Sequence, residues 1–171
     1  NMLMLEGLAI HEIPNNIQNL DSVVTLSFSD NELEYLPENI GNLASLNTLL
    51  LSNNQIIELP ETIGNLSNLE FLHLPGNQLA ALPSTISNLS SLVSLNIDNN
   101  LVTTFPSGIM ELNTLRYVYI ANNTIHELPS EIGTLSALQI LSAYTNNISH
   151  IPLSIGNLSN LYYLDITNNE L

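Results

Sequence analysis

The sequence predicts an α/β repeat solenoid, because three kinds of residue recur with the same 23-residue period. Prolines, asparagines and aliphatic residues each form a row along the chain, and the three rows keep a constant phase. A fixed period between about 20 and 50 residues is typical of stacked repeat proteins. The rows are Pro14, Pro37, Pro60, Pro83, Pro106, Pro129 and Pro152; Asn31, Asn54, Asn77, Asn100, Asn123, Asn146 and Asn169; and Leu26, Leu49, Leu72, Leu95, Val118, Leu141 and Leu164.

The stretch from Leu46 to Asn68, LNTLLLSNNQIIELPETIGNLSN, shows how one coil is built. Leu49 and Leu51 are two residues apart, so they share one face of a short strand. One coil cannot bury its apolar side chains alone, so neighbouring coils must stack and their strands must form a parallel sheet. The side chains predicted to point inward are Leu46, Leu49, Leu51, Ile56, Leu59, Ile63 and Leu66.

The asparagine row predicts a ladder of hydrogen bonds between coils. A chain that leaves a strand inside a stack carries backbone groups that water cannot reach. An asparagine side chain offers two donors and an acceptor to such groups. Repeated in each coil, as at Asn54, Asn77 and Asn100, the row is expected to tie each turn to the next.

The proline row predicts where the outer arc of each coil begins. Pro60 restricts its own φ and favours an extended Leu59, so the arc that follows is expected to consist of short helical or 3₁₀ turns. The glycine of the IGNL segment is replaced by Gln18, Ser87 or Met110 in three of its seven positions. A left-handed backbone is therefore not expected to be obligatory there.

The complete pattern, LxxLxLxxNxLxxLPxxIGNL, resembles the leucine-rich repeat in its 23-residue LPxxIG form. The resemblance covers essentially the whole chain, in seven in-phase copies. It implies a right-handed horseshoe arc with a parallel β-sheet on the concave face and short helical or 3₁₀ turns on the convex face. This class occurs in Scribble-type and Ras-pathway scaffolds, in Roco proteins and in many bacterial repeat proteins. The resemblance implies ligand binding on the concave sheet and no enzymatic activity.

The unbroken register predicts a single domain over residues 1–171, with about seven 23-residue repeats and partial units at its ends. Leu8 stands where the ladder would have asparagine, so the first coil is degenerate and resembles a cap. The chain ends after the strand of its last coil, and we expect it to be a fragment of a larger protein. Uncapped ends also offer sheet edges for self-association.

The charge balance excludes several classes of partner. The chain has one Lys+Arg against 16 Asp+Glu, for a net charge of −15. Without a cationic surface to replace counterions, binding to nucleic acid or to an anionic membrane is excluded. No signal peptide or membrane span is visible, so direct membrane insertion is not expected. The scarcity of lysine favours a secreted or cell-surface bacterial protein, or one living in high salt, although a low-charge surface rich in Asn, Ser and Thr could simply be a solvated one. The absence of cysteine excludes disulfides and thiolate metal sites.

The phase of the strands predicts which side chains face solvent on the concave sheet, and five of the six tyrosines fall there with the only arginine. Tyrosine and arginine are enriched in binding hot spots. We therefore predict a site for a protein, or for a glycan, on the C-terminal half of this face, without a cofactor. Tyrosines also suit strands in general, so they could merely cover the sheet. The predicted ligand-binding residues are Leu50, Phe71, His73, Arg116, Tyr117, Tyr119, Ile140, Tyr144, Tyr162 and Tyr163.

Catalytic and metal sites are not predicted. His126, Glu127 and His150 come from adjacent coils and would form a legitimate zinc set. However, His11 occupies the same row with no expected partner, which favours solvated loop residues. The concave carboxylates are scattered over different coils, which argues against paired-carboxylate catalysis.

Two other functions remain open from the sequence. The array could be a structural spacer or stalk of a larger surface protein, in which case stacking matters more than the concave face. It could also bind ice or a mineral surface through a regular polar row, although the clustered aromatic residues and the curved sheet count against this. The polar row includes Asn53, Asn99, Asn122, Thr145 and Asn168.

Overall fold

The computed structural model describes residues 1–171 and contains one sheet of eight parallel strands in chain order. Each strand pairs with the next at an offset of one repeat, as Leu49 does with Leu72. The offset equals the sequence period, which confirms the predicted solenoid. The strands are β1 Met2–Met4, β2 Thr25–Ser27, β3 Thr48–Leu50, β4 Phe71–His73, β5 Ser94–Asn96, β6 Tyr117–Tyr119, β7 Ile140–Ser142 and β8 Tyr163–Asp165.

Short 3₁₀ helices form the outer arc, as predicted, and all but one begin directly after a proline of the row. Pro60 has φ −65° and ψ 148°, and its carbonyl oxygen accepts a hydrogen bond from the Ile63 N–H at 3.0 Å. None of these helices has the length and apolar character required to cross a membrane. They span Asn15–Asn19, Glu38–Asn42, Glu61–Asn65, Ser84–Asn88, Ser107–Glu111, Ile132–Thr134 and Leu153–Asn157.

The core is one continuous cluster of 41 buried hydrophobic residues between the sheet and the outer arc. All seven side chains predicted to point inward from the coil that begins at Leu46 are buried, and none is more than 5% exposed. Ala143, which replaces a strand leucine, is also fully buried. Each coil therefore completes the core of its neighbours, as stacked repeats require.

The asparagine ladder is present in every repeat from Asn31 to Asn169. In the central coils, the Asn100 amide donates to the carbonyl oxygens of Leu74 and Ile97, each at 3.0 Å. Its Oδ1 accepts from the Leu79 N–H at 2.9 Å. Leu74 and Leu79 belong to the preceding coil, so two of these three hydrogen bonds join adjacent coils.

The glycines of the IGNL segments allow adjacent coils to pack closely, and they do not adopt a left-handed backbone conformation. A Cβ on Gly64 would lie 2.6 Å from the Cβ of Thr85 in the next coil, and would also overlap the Thr85 carbonyl oxygen. Gly41 and Gly133 meet the next coil in the same way. None of the three has a positive φ, which agrees with the expectation that a left-handed conformation is not obligatory there.

The residue immediately before the ladder asparagine of each coil adopts the left-handed backbone conformation. The φ angles of these residues, and of Ala9, lie between 51° and 70°. Glycine, asparagine and aspartate tolerate this region best. The polar residues that motivated the ice-binding hypothesis belong to this row. The left-handed backbone explains why most of them are asparagine, so no ligand is needed to explain them. The row comprises Gly7, Asp30, Asn53, Gly76, Asn99, Asn122, Thr145 and Asn168.

Candidate functional site

The three-residue strands place their outer two side chains on the solvent side and the middle one in the core. In β6, Tyr117 and Tyr119 flank the fully buried Val118. The register sets Tyr117 beside Ile140 of β7, which in turn pairs with Tyr163 of β8. The concave side of β6–β8 thus carries a cluster of tyrosines, with the aliphatic Ile140 between Tyr117 and Tyr163. We call it the tyrosine face, made of Tyr117, Tyr119, Tyr144, Tyr162 and Tyr163.

The tyrosine face is open to solvent at its C-terminal side. Tyr162 is 71% exposed and Tyr163 is 48% exposed. Tyr117, Tyr119 and Tyr144 are half-buried, as expected for rings that pack on a sheet while leaving one side free. The other predicted residues of this half are Arg116, which is exposed, and Ile140, which is half-buried.

The hydroxyls of Tyr119 and Tyr163 have raised pKa values, for different reasons. The charge of Asp165 raises the pKa of Tyr163, and the Tyr163 hydroxyl donates a hydrogen bond to Asp165 Oδ2 at 3.2 Å. Burial raises the pKa of Tyr119, and the neighbouring Tyr162, Tyr117 and Asp98 raise it further. Both hydroxyls therefore remain protonated at neutral pH, and that of Tyr163 donates its hydrogen to Asp165.

Asp98, like Asp165, lies beside the tyrosine face but is not among the ligand-binding residues predicted from the sequence. Its Oδ1 accepts a hydrogen bond from the Ala121 N–H at 2.6 Å, which holds the carboxyl against the next coil. Burial nevertheless raises the pKa of Asp98 to about 6. A strand phase alone could place Asp98 on the concave face, but its burial depends on the sizes of the surrounding side chains.

The N-terminal half of the predicted site forms a separate group. Phe71 and His73 of β4 pack edge to face, with ring centroids 6.3 Å apart and an interplanar angle of 89°. His73 Nε2 lies 2.9 Å from Ser94 Oγ, and burial lowers the pKa of His73, which favours a neutral ring. Leu50 pairs with His73 in the sheet. Strand β5, with its small polar side chains, separates this group from the tyrosine face.

The histidines of the outer loops do not assemble into a metal site. No group of three or more His, Cys, Asp or Glu side chains is arranged to hold a metal ion. His126 and Glu127 line a surface cavity with Phe105, and His150 does not take part in it. The expectation that His11 lacks a partner was wrong, because its Nδ1 lies 3.3 Å from Glu32 Oε2 in the next coil.

Several solved structures share the fold. A leucine-rich repeat protein of Leptospira interrogans is 35% identical, with a TM-score of 0.92 over 94% of this chain and 41% of that chain. The plant peptide hormone receptor RGFR1, solved in complex with RGF2, is 28% identical, with a TM-score of 0.87 over 99% of this chain and 28% of that one. An internalin of Listeria monocytogenes is 27% identical, with a TM-score of 0.83 over 93% of this chain and 46% of that one.

The chain thus spans less than half the length of these three proteins. No curated protein matches it at the level of sequence. The family model described as a leucine-rich repeat region matches residues 38–115 and 107–171, which together make up most of the chain. These matches agree with the eight-stranded parallel sheet, the 3₁₀ outer arc and the asparagine ladder. The chain belongs to the leucine-rich repeat family.

Proposed function

We propose that this chain is a non-enzymatic protein-binding module that holds its partner on the tyrosine face. The observation that supports the proposal is the grouping of five of the six tyrosines within or close to β6–β8. The remaining tyrosine, Tyr35, lies between β2 and β3, in the N-terminal part of the chain.

The physical properties of this surface suit recognition of a protein. Tyrosine rings bury a large area with few rotatable bonds and keep a polar hydroxyl at the tip. The rings stand on a sheet that is hydrogen-bonded across all eight strands, so little ordering is required when a partner binds. The similarity to a peptide hormone receptor solved with its peptide is consistent with this use of the fold.

A capture experiment with matched tyrosine variants tests the proposal. The parent chain, the double variant Tyr119→Ala/Tyr163→Ala and the single variant Tyr35→Ala are immobilised, and the bound proteins are identified by mass spectrometry. Tyr35 is 51% exposed, close to the 48% of Tyr163, so it controls for the loss of an exposed aromatic ring. Circular dichroism confirms that each variant is folded.

We expect the parent and Tyr35→Ala to retain the same partner and the double variant to lose it. Loss of a central aromatic anchor typically costs about 2 kcal/mol or more of binding free energy. Retention of the partner by the double variant would reject the tyrosine face as the site. If every variant captures only further copies of this chain, the spacer or stalk function gains support instead.

A further inference from the structure

Two small residues beside the tyrosine face are buried although they lie on the concave side of the sheet, as Ser27 and Ser94 are in β2 and β5. Ser142 is 5% exposed and Ala121 is fully buried. Ser142 lies between Tyr119 on one strand and Asp165 on the other. Ala121 lies two residues beyond Tyr119, on the same face, and its N–H bonds to Asp98. The larger side chains around them must cover these small residues.

The result is a compact surface in which tyrosines and carboxylates alternate around two small residues. Adjacent strands lie about 4.8 Å apart, so the backbones of Tyr119 and Asp165 are separated by roughly 10 Å. The Tyr163 hydroxyl donates to Asp165 Oδ2 at 3.2 Å, and Asp98 Oδ1 accepts from the Ala121 N–H, two residues beyond Tyr119, so a carboxylate lies near each of these tyrosines.

Neither carboxylate of this surface is paired with a cation in the chain, whose single salt bridge joins His11 to Glu32. The only cationic side chain on the concave sheet is that of Arg116, three residues before Tyr119 and therefore about 10 Å away along the strand. With a net charge of −15, the chain as a whole also attracts cations.

We propose that the tyrosine face binds a lysine- or arginine-rich segment of its partner, with cationic side chains lying on Tyr119, Tyr144 and Tyr163 between Asp98 and Asp165. This inference rests on the proposed function and adds the chemistry of the partner. A cation within about 6 Å of a tyrosine ring is attracted by the ring face, and a nearby carboxylate adds a Coulombic attraction. A bound cation would also supply the positively charged partner that the half-buried Asp98 lacks, since Asp98 accepts only from the Ala121 N–H.

The test measures the binding of three fluorescein-labelled glycine-spaced peptides, which carry lysine, glutamine or glutamate at matched positions. Fluorescence anisotropy gives the Kd for the parent chain at low and at physiological ionic strength. Three variants are compared: Asp98→Asn/Asp165→Asn, Arg116→Gln, and Glu111→Gln/Glu131→Gln. The last pair removes the same amount of charge from exposed residues of the outer arc and serves as the matched control.

We expect the lysine peptide to bind the parent chain best. The Asp98→Asn/Asp165→Asn substitutions should raise the Kd of this peptide about tenfold, which corresponds to a modest contribution from each carboxylate. Glu111→Gln/Glu131→Gln should change its Kd less than about twofold, and Arg116→Gln should leave it unchanged or slightly tighter. A melting temperature of the Asp98→Asn/Asp165→Asn variant at or above that of the parent would show that the loss is local.

Two results would overturn the inference. Equal weakening by both double carboxylate variants would mean that only net charge matters, and a preference for the glutamate peptide that depends on Arg116 would mean an anionic partner. In either case the proposed function survives if Tyr119→Ala/Tyr163→Ala still loses the captured protein. If that tyrosine variant keeps its partner, the proposed function itself fails.

Discussion

The side-chain amide nitrogen of Asn100, Nδ2, donates a hydrogen bond to the backbone carbonyl oxygen of Leu74, 26 residues earlier, at 3.0 Å. The two residues belong to adjacent coils, and the same side chain also accepts from the Leu79 N–H. All of these groups are buried. Water therefore cannot replace the asparagine if it is removed.

Asn100→Ala should lower the free energy of unfolding by about 1–3 kcal/mol, because it leaves buried backbone groups without partners. Urea denaturation followed by circular dichroism measures the change. Asn88→Ala provides the control, since Asn88 is exposed and its side chain makes no hydrogen bond. Its substitution should change stability by less than about 0.5 kcal/mol. An unchanged midpoint for Asn100→Ala would contradict the ladder.

Gly64→Ala should destabilise the chain by about 1–3 kcal/mol, the usual cost of inserting a methyl group into a closely packed region. The new Cβ would meet both the carbonyl oxygen and the Cβ of Thr85 in the next coil. Gly156 is the matched control, because it occupies the same position of the repeat with nothing within 4 Å of its added Cβ. Thermal melting of both variants should show a loss only for Gly64→Ala, and equal effects would contradict the packing role.

Thr145→Asn should stabilise the chain by about 1 kcal/mol, because Thr145 holds a left-handed backbone with φ 55°. β-Branched residues are especially unfavourable in this region, whereas asparagine tolerates it. Urea denaturation compares this variant with Thr103→Asn, which changes an exposed threonine of ordinary φ and should have little effect. A loss of stability in Thr145→Asn would show that the threonine side chain makes a compensating contribution.

Much of the fold was predictable because each structural requirement recurs in seven coils at one fixed phase. Leu49, Asn54 and Pro60 each represent a row whose function follows from strand period, hydrogen-bond accounting or backbone restriction. The left-handed row was missed because Asn53 and Thr145 were interpreted by their polarity alone. The packing role of Gly64 could not be predicted, since it depends on the distance between coils.

The candidate site was predictable to a smaller extent. The period of two in a strand placed Tyr117 and Tyr119 on the concave side without knowledge of the structure. The separation of Phe71 from the tyrosine face depends on which side chains β5 carries and how they pack. The environment of Asp98 depends on the contacts of several coils, and no single repeat shows it.

Asp98→Asn should stabilise the folded chain, and the gain should increase as pH rises from about 4 to about 7. Burial raises the pKa of Asp98 from 3.8 to about 6, so within that window the folded state binds more protons than the unfolded state. The stability that this carboxyl contributes is therefore present at low pH, and it is lost as pH rises through the pKa of Asp98 in the folded state. Asparagine keeps an oxygen that can accept from the Ala121 N–H but carries no charge. Urea denaturation of both chains at several pH values measures the difference, and a gain that does not vary with pH would contradict the raised pKa.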